Sequence, residues 1–257
     1  MKSISQLVKR ILKRNGLELI RHSAYRKFRE DPYFAQDKIF DVYSQPKLIF
    51  DVGAFNGSIS LKYNKMFPEA RIISAEPFPE SFSELEQNTQ SVSTITPIKK
   101  AFADFTGEAE FSSNIYSQTN SLLPTHQQAF DNWKGDLLKT KDRIIVDTVK
   151  LDEFAQANGL SQIDILKLDV QGAEMKVLQG SENLLRMQRI SLIYTEIITT
   201  PTYVNQTSLD EMISFLKSKE FHLFNIYNPS YTDLAQLRQV DAIFLSDQIL
   251  NSLREKT

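Results

Sequence analysis

The sequence predicts an α/β protein built on one mostly parallel β-sheet, and three features support this. From residue 47 onward, short apolar segments alternate with segments of helical periodicity. Four of the apolar segments end at an acidic residue, and the carboxyl ends of parallel strands are where such sheets bind ligands. The last two apolar segments are joined without a strong helix, so we expect the last strand to enter antiparallel.

Length and composition indicate one main domain with an appendage. The chain has 257 residues, of which 41% are hydrophobic and 24% charged, as is typical of a globular protein. It contains no cysteine, which excludes disulfides and thiolate chemistry and fits a cytoplasmic protein. No apolar run approaches the roughly 18 residues of a membrane span, and we expect no signal peptide. The net charge of −2 gives no indication of a nucleic-acid partner.

The first 46 residues are predicted to form an N-terminal helical segment. Apolar residues recur with helical spacing at Ile4, Leu7, Val8, Ile11 and Leu12. Residues 1–38 carry ten Lys or Arg against four Asp or Glu. We expect the helix to pack on the main domain or on a second subunit, so that a homo-oligomer is possible. The alternative is peripheral contact of residues 1–14 with a membrane surface.

The main domain, residues 47–257, is predicted to alternate strands and helices. The predicted strands cover residues 47–51, 71–76, 94–103, 108–111, 144–149, 163–169, 191–197, 222–227 and 240–245. The predicted helices cover residues 58–66, 79–90, 173–185 and 208–219, and a further one begins at Leu151. A polar insertion at residues 112–143 interrupts the alternation and contains Trp133 and His126. Polar insertions of this length are usually functional lids or mobile segments.

A turn with two glycines follows the first predicted strand. Asp51 ends the strand, and Gly53 and Gly57 enclose Ala54, Phe55 and Asn56. The dinucleotide-binding pattern G-x-G-x-x-G has a third glycine and brings a helix N-terminus to a pyrophosphate. The missing glycine and the preceding acid disfavour an anionic ligand. They favour a nucleoside cofactor without phosphate and with a positive end, which is S-adenosylmethionine.

The acids at the four strand ends are predicted to meet in one cleft. They are Asp51, Glu76, Asp169 and Glu196. Glu76 lies about twenty residues beyond the glycine turn, where a carboxylate can bind two ribose hydroxyls. The alternative for any one acid is a role in capping a helix or forming a turn.

Two segments carry a resemblance to a known family. Ile49–Gly57 reads IFDVGAFNG and Ile165–Glu174 reads ILKLDVQGAE, and together they resemble the FkbM family of S-adenosylmethionine-dependent methyltransferases. Further matching segments, in family order, are Glu76-Pro77, Ala101–Asp104, Asn120–Leu123, Val149–Phe154, Leu178–Gly180 and Tyr194–Glu196. The resemblance covers about residues 48–198. It implies a class I methyltransferase fold, a Rossmann-like sheet of seven strands with the last antiparallel. It also implies O-methylation of a small-molecule hydroxyl acceptor such as a sugar, a polyketide or a related secondary metabolite, without identifying it.

The resemblance and the chemistry of the side chains together predict the cofactor site. Asp51 and the turn from Gly53 to Gly57 are expected to face the methionine end, and Glu76, followed by Pro77, to bind the ribose. The adenine is expected between Phe78 and the stretch Ala103, Asp104 and Phe105, where Asp104 can accept the exocyclic amine. Core packing is an equally good hypothesis for Phe78.

The predicted catalytic residues are Asp169, Glu174, Glu196 and His126. Asp169 would lie nearest the methyl group and either stabilise the sulfonium or take the acceptor proton. Glu174 and Asp169 would act as base and orienter, or would together with Glu196 hold a divalent metal such as Mg²⁺. The alternative for Glu174 is complementing the N-terminus of the following helix. His126 is either a second base or a solvated loop residue.

We expect the insertion at residues 112–143 to help form the acceptor site. Two other functions stay open on the sequence. The first is a nucleotide-dependent oxidoreductase, against which the missing third glycine counts. The second is a methyltransferase-like binding module without turnover, against which the acids at the strand ends count.

Overall fold

The computed structural model describes residues 22–256, with side chains for residues 26–255. The predicted amphipathic helix at residues 1–14 lies outside the described residues. None of the described helices is long and apolar enough to cross a membrane.

Strands and helices alternate along most of the described chain. The strands are β1 (Leu48–Val52), β2 (Arg71–Ala75), β3 (Ile95–Ile98), β4 (Ala101–Phe102), β5 (Gly107–Asn114), β6 (Thr140–Val149), β7 (Ile163–Leu168), β8 (Ile190–Ile198), β9 (Phe221–Tyr231) and β10 (Leu237–Ser246). The helices are α1 (His22–Glu30), α2 (Pro32–Val42), α3 (Ser58–Met66), α4 (Pro79–Thr89), α5 (Ala129–Asn132), α6 (Leu151–Ala157), α7 (Glu174–Gln179), α8 (Glu182–Arg186), α9 (Leu209–Ser218) and α10 (Asp247–Lys256). A 3₁₀ turn covers Ser117–Thr119.

The main sheet has seven strands in the order β3-β2-β1-β7-β8-β10-β9. Strands β3, β2, β1, β7 and β8 are parallel to one another, while β10 pairs antiparallel with both β8 and β9. This confirms the predicted α/β fold, including the antiparallel last strand. It also brings the carboxyl ends of β1, β2, β7 and β8 to one edge of the sheet.

A second, three-stranded sheet with the order β4-β6-β5 lies beside the main one. The strand predicted at residues 94–103 is therefore two strands, since β3 ends at Ile98 and β4 pairs with β6 instead. Strands β5 and β6 pair antiparallel and extend into the predicted insertion as far as Asn114 and from Thr140. The connection between them, residues 115–139, is hereafter called the roof segment.

Helices cover both faces of the main sheet. On one face, α2, α3 and α10 pack through Ile39, Tyr63 and Ile249. On the other face, α6, α7 and α9 pack through Leu151, Val177 and Met212. The described part of the predicted N-terminal segment thus belongs to the core of the main domain, because α2 shares its apolar contacts with β1 and β7.

The helix predicted at residues 173–185 is two helices, α7 and α8, separated at Gly180 and Ser181. A Cβ atom on Gly180 would lie 2.0 Å from the carbonyl oxygen of Ala103, so the chain passes close to the end of β4 here. The carboxylate of Asp152 accepts hydrogen bonds from the amides of Asn183 and Leu184 at the start of α8. These two contacts stop one helix and start the next.

Candidate active site

A cleft with a volume of about 380 Å³ opens at the carboxyl ends of the central parallel strands, beneath the roof segment. The predicted site residues that line it are Gly53, Ala54, Phe55, Glu76, Pro77, Asp169 and Glu196. The acids of β2, β7 and β8 therefore do share one cleft, as the strand-end argument predicts.

The glycine turn forms one wall of the cleft and is fixed by the neighbouring strands. The amides of Gly53 and Ala54 both donate to the carbonyl oxygen of Ala75, each at 2.9 Å. Gly53 has φ +78°, and a Cβ atom there would lie 1.8 Å from the carbonyl oxygen of Asp169. Any side chain at position 53 would collide with this oxygen, so the turn requires glycine there.

Asn56 and Gly57 shape the turn without lining the cleft. A Cβ atom on Gly57 would lie 2.7 Å from Leu85 Cδ1, so this glycine allows α3 to approach α4. The side chain of Asn56 accepts a hydrogen bond from the Ser58 amide at the start of α3, at 3.3 Å. Their predicted direct role in cofactor binding is replaced by a structural one.

Glu76 spans the space between β2 and the glycine turn. Its Oε2 accepts a hydrogen bond from the Phe55 amide at 3.0 Å, and its Oε1 accepts one from the Phe78 amide at 2.9 Å. Burial raises the pKa of Glu76 to about 7, although these two hydrogen bonds lower it. Each carboxylate oxygen has a second lone pair that a ligand donor can use.

Asp51 is fully buried and does not line the cleft, which corrects its predicted contact with the cofactor. Its Oδ2 accepts a hydrogen bond from the Ser60 hydroxyl at 2.6 Å, and its Oδ1 lies 3.4 Å from Lys167 Nζ. Successive strand residues point to opposite faces, and Asp51 shares the face of β1 that α3 covers. Asp51 therefore contacts Lys167 from outside the cleft.

Lys167 is the functional residue that the sequence reasoning missed most clearly. It lines the cleft, is buried, and places Nζ 3.2 Å from Asp169 Oδ2. Burial lowers the pKa of Lys167, but the carboxylates of Asp169 and Asp51 outweigh this and the net shift is upward. Its sequence signal is a lysine inside an otherwise apolar central strand, where an unpaired charge would be too costly.

Gln171 connects two of the cleft carboxylates, those of Asp169 and Glu196. Its Nε2 donates to Asp169 Oδ1 and to Glu196 Oε2, each at 3.0 Å. Its Oε1 lies 3.0 Å from the Tyr203 hydroxyl. Gln239 donates to the second oxygen of Glu196 at 2.9 Å. This gives Glu196 a fixed orientation between two amides.

The ionisation of Glu196 is disfavoured by its surroundings. Burial raises its pKa well above the usual value, and the negative charges of Asp169, Glu174 and Asp241 add to the effect. Asp169, in contrast, keeps Lys167 beside it. The two acids therefore share one amide, but only Asp169 has a lysine at salt-bridge distance.

Glu174 turns away from the cleft, which corrects its predicted catalytic role. Its Oε1 accepts hydrogen bonds from the amides of Val170 and Gly172, at 3.0 and 3.3 Å. Burial raises the pKa of Glu174 to about 7, against the lowering effect of backbone hydrogen bonds. It holds the turn before α7, in line with the alternative that it complements a helix N-terminus.

His126 also lies away from the cleft, so the structure gives no support to its predicted role as a base. Its amide donates to the Thr202 carbonyl oxygen at 2.8 Å, and its Nδ1 accepts a hydrogen bond from the Gln128 amide at 3.1 Å. The side chain stabilises its own turn in the roof segment.

Most of the residues predicted to contact the adenine do not line the cleft. Phe78 stacks on Phe111 with ring centroids 6.5 Å apart, which is the core-packing alternative. The stretch Ala103 to Phe105 lies outside the cleft, where the Asp104 carboxylate is 3.5 Å from Lys176 Nζ. Lys100, Ala101 and Phe102, just before and within β4, line the cleft instead.

The possible divalent metal has no ligand set in the described part of the chain. No three His, Asp or Glu side chains among residues 26–255 are grouped to hold an ion. Glu174 is committed to backbone amides, and the amide of Gln171 separates Asp169 from Glu196. The residues present do not fit the predicted metal site.

The roof segment closes the cleft opposite the strand ends. Its lining residues include Tyr116, Gln118, Asn120, Trp133 and Leu138. It is anchored by the Ser121 hydroxyl, which donates to the Gln171 carbonyl oxygen at 2.7 Å. The sequence located this segment as an insertion but gave no sign of which side chains face the cleft.

The sheet order, the glycine turn and the strand-end acid Glu76 together define a class I S-adenosylmethionine-dependent methyltransferase. Residues 51–223 match the methyltransferase FkbM domain, and the chain belongs to that family. This confirms the resemblance in the sequence and removes the oxidoreductase alternative.

The curated relatives are similar at a low level of identity. The chain is 27% identical over 187 residues to the 2-O-methyltransferase NoeI of Sinorhizobium fredii, covering 67% of this chain and 72% of that protein. It is 23% identical over 130 residues to the hexuronic acid methyltransferase AglP of Haloferax volcanii, covering 50% of this chain and 48% of that protein. The chain thus spans about half the length of the latter.

Two solved structures are similar to the chain as follows. The N-terminal domain of EvdMO1, with S-adenosylhomocysteine and D-fucose, has a TM-score of 0.46 and 10% identity, covering 84% of this chain and 83% of that one. Fibrillarin of Aeropyrum pernix with S-adenosylmethionine has a TM-score of 0.44 and 13% identity, covering 79% and 68%.

Proposed function

We propose that this protein transfers a methyl group from S-adenosylmethionine to a hydroxyl group of a sugar-like small molecule. The observation that carries the proposal is the arrangement of the cleft. The glycine turn and Glu76 lie at one part of it, and the joined carboxylates Asp169 and Glu196 lie at another. A nucleoside cofactor and an acceptor hydroxyl can therefore be bound side by side.

The residues present fit the cofactor. Glu76 retains a free lone pair on each oxygen after its two backbone hydrogen bonds, which suits the two hydroxyls of a ribose. Gly53 has no side chain, which lets the turn pass the Asp169 carbonyl, and the residue lines the cleft. Ala101 and Phe102 provide an apolar surface for the base.

The cofactor supplies a methyl group on a positively charged sulfur, which is an activated leaving group. The acceptor oxygen–carbon bond forms as the carbon–sulfur bond breaks, the sulfur becomes a neutral thioether, and the hydroxyl proton passes to a carboxylate. Glu196 is the proposed proton acceptor, because burial and the neighbouring acids raise its pKa and so make its ionised form a stronger base. Asp169, held by Lys167, orients the hydroxyl or the positive sulfur.

The sugar-like acceptor is supported by the named activities of two relatives, a 2-O-methyltransferase and a hexuronic acid methyltransferase. It is also supported by the polar lining of the roof segment, including Gln118 and Asn120. The cytoplasmic location and the possible homo-oligomer stay predictions.

Calorimetry with S-adenosylhomocysteine tests the cofactor site, and transfer of a radiolabelled methyl group to a panel of glycosides tests the reaction. We expect binding by the wild type, its loss by at least about tenfold in Glu76→Ala, and label in a glycoside fraction. Absence of S-adenosylhomocysteine binding at millimolar concentration would overturn the proposal. A variant Glu196→Gln that keeps both cofactor affinity and full transfer would remove Glu196 as the base.

A further inference from the structure

Trp133 of the roof segment is held rigidly at the cleft. Its indole Nε1 donates to Thr202 Oγ1 at 2.9 Å, and the guanidinium carbon of Arg238 lies 4.3 Å from the ring centroid. Arg238 is fixed in turn by hydrogen bonds to the Ser230 hydroxyl. Protein groups therefore contact one edge and one face of the indole and fix its orientation. Trp133 also lines the cleft.

Asn120 places an unused hydrogen-bond donor beside the same cleft. Its side chain is 8% exposed, and its Oδ1 accepts a hydrogen bond from the Asn114 amide at 2.7 Å. Its Nδ2 has no hydrogen-bond partner among the described residues. Leaving such a buried donor unpaired is costly, so an oxygen of a ligand in the cleft would be favourable there.

The charges at this part of the cleft are unsuitable for an anionic acceptor. Asp169 and Glu196 are both acids, and the nearby cation, Lys167, is already shared between Asp169 and Asp51. Arg238 is committed to Trp133 and Ser230. A carboxylate on the acceptor would gain no favourable charge partner there, because Asp169 and Glu196 are both acids and no lysine or arginine in the described lining lacks an acidic partner.

We propose that Trp133 and Asn120 form a subsite for an uncharged pyranose ring, which stacks on the indole and accepts a hydrogen bond from Asn120 Nδ2. The negative face of an aromatic ring attracts the polarised C–H groups on one face of a sugar. The subsite selects neutral glycosides against uronic acids. The inference rests on the proposed function, because it concerns the acceptor of the same cleft.

The test uses the full chain saturated with S-adenosylhomocysteine and a panel of methyl glycosides. Each neutral hexoside in the gluco, galacto and manno series is paired with its uronic acid, and binding is measured by saturation-transfer NMR. We expect a neutral member to bind and its uronic acid to bind at least about tenfold more weakly. A uronic acid that binds as tightly as its neutral partner would overturn the selectivity.

Three variants locate the subsite. Trp133→Leu is expected to lose about tenfold or more in glycoside affinity, whereas Trp133→Phe keeps an aromatic face and loses less. Asn120→Asp keeps the acceptor for the Asn114 amide but removes the donor, and is expected to weaken glycoside binding without affecting S-adenosylhomocysteine. Unchanged glycoside affinity in Trp133→Leu would overturn the role of the indole.

The outcomes separate this inference from the proposed function. If S-adenosylhomocysteine binds but no neutral glycoside of the panel does, the pyranose subsite is wrong and the cofactor site stands. If S-adenosylhomocysteine itself does not bind, both proposals fail.

Discussion

The side-chain amide nitrogen of Gln171 lies 3.0 Å from Glu196 Oε2 and the same distance from Asp169 Oδ1. A single amide thus supplies both of its hydrogens to two carboxylates from neighbouring strands. The Tyr203 hydroxyl at Gln171 Oε1 fixes which end of the amide faces the acids. This arrangement gives two acids in one cleft a shared hydrogen-bond donor.

Replacing Gln171 by leucine is expected to reduce methyl transfer by roughly tenfold to a hundredfold while leaving S-adenosylhomocysteine affinity within about threefold. The reason is that Asp169 and Glu196 would repel each other without the amide and lose their orientation. Steady-state kinetics with calorimetry measures both effects. Gln206→Leu is a useful control, since Gln206 binds the backbone of Thr202 and Tyr203 and does not line the cleft.

Cofactor affinity is expected to increase as the pH rises from about 6 to about 8, because the pKa of Glu76 is raised to about 7 and a ribose donates more strongly to the ionised carboxylate. Calorimetric titrations of S-adenosylhomocysteine at several pH values give this dependence. Glu76→Gln removes the titrating group, so its weaker affinity is expected to be flat over the same range. An equally steep pH dependence in that variant would assign the effect to another group.

Glu174 is expected to make the free energy of unfolding fall as the pH rises from about 5 to about 7. Its folded pKa of about 7 lies above its ordinary value of 4.5, so the folded state holds the proton in this range while the unfolded state has released it. The contribution is complete below the unfolded pKa and is lost as the pH passes the folded one, at a cost of about 3 kcal/mol. Urea unfolding of wild type and Glu174→Gln across this range tests it, and parallel curves would contradict it.

Gly53→Ala is expected to destabilise the fold by at least about 3 kcal/mol and to abolish cofactor binding, because the new Cβ atom would collide with the Asp169 carbonyl oxygen. Gly159→Ala is the matched control. Gly159 also has a positive φ, +64°, but a Cβ atom there has no neighbour within 4 Å. We expect it to cost about 1 kcal/mol with normal cofactor affinity. Equal losses in the two variants would show that strain in the turn, rather than the contact, is decisive.

Lys167→Met is expected to cost about 3–5 kcal/mol in unfolding free energy, since it leaves the buried Asp51 without its cation. The double variant Asp51→Asn with Lys167→Met should recover part of this loss, because the uncompensated charge is gone. Chemical denaturation of the two single variants and the double variant measures the coupling. Additive losses would mean that the ion pair carries no stability of its own.

Much of the sheet could be predicted because its signals are local. An apolar run, an acid and a glycine turn predict where β1 ends and α3 begins, and the structure agrees to within a residue. The same local rules failed at residues 94–103 and 173–185. In both places a contact with a distant segment, β6 for β4 and Ala103 for Gly180, divides an element that looks continuous.

The candidate site, too, could be predicted from the sequence only in part. Glu76, Asp169 and Glu196 could be assigned to one cleft because parallel strands bring their carboxyl ends together. Which acids face the cleft could not be assigned. The sequence predicted a direct role in the site for both Asp51 and Glu174. In the structure, Asp51 pairs with Lys167, and Glu174 accepts hydrogen bonds from backbone amides. Side-chain direction depends on strand pleat and on partners that are distant in sequence.

The sequence by itself determined the α/β fold, the reversed last strand, the methyltransferase family and the strand-end acids, because these depend on periodicity and on contiguous motifs. The tertiary structure showed which acids line the cleft, placed His126 outside it, and added Lys167, Gln171 and Trp133 to its lining. These roles arise from contacts across the chain, such as Trp133 with Thr202 and Gln171 with Glu196, and burial and charge at such contacts set the chemistry.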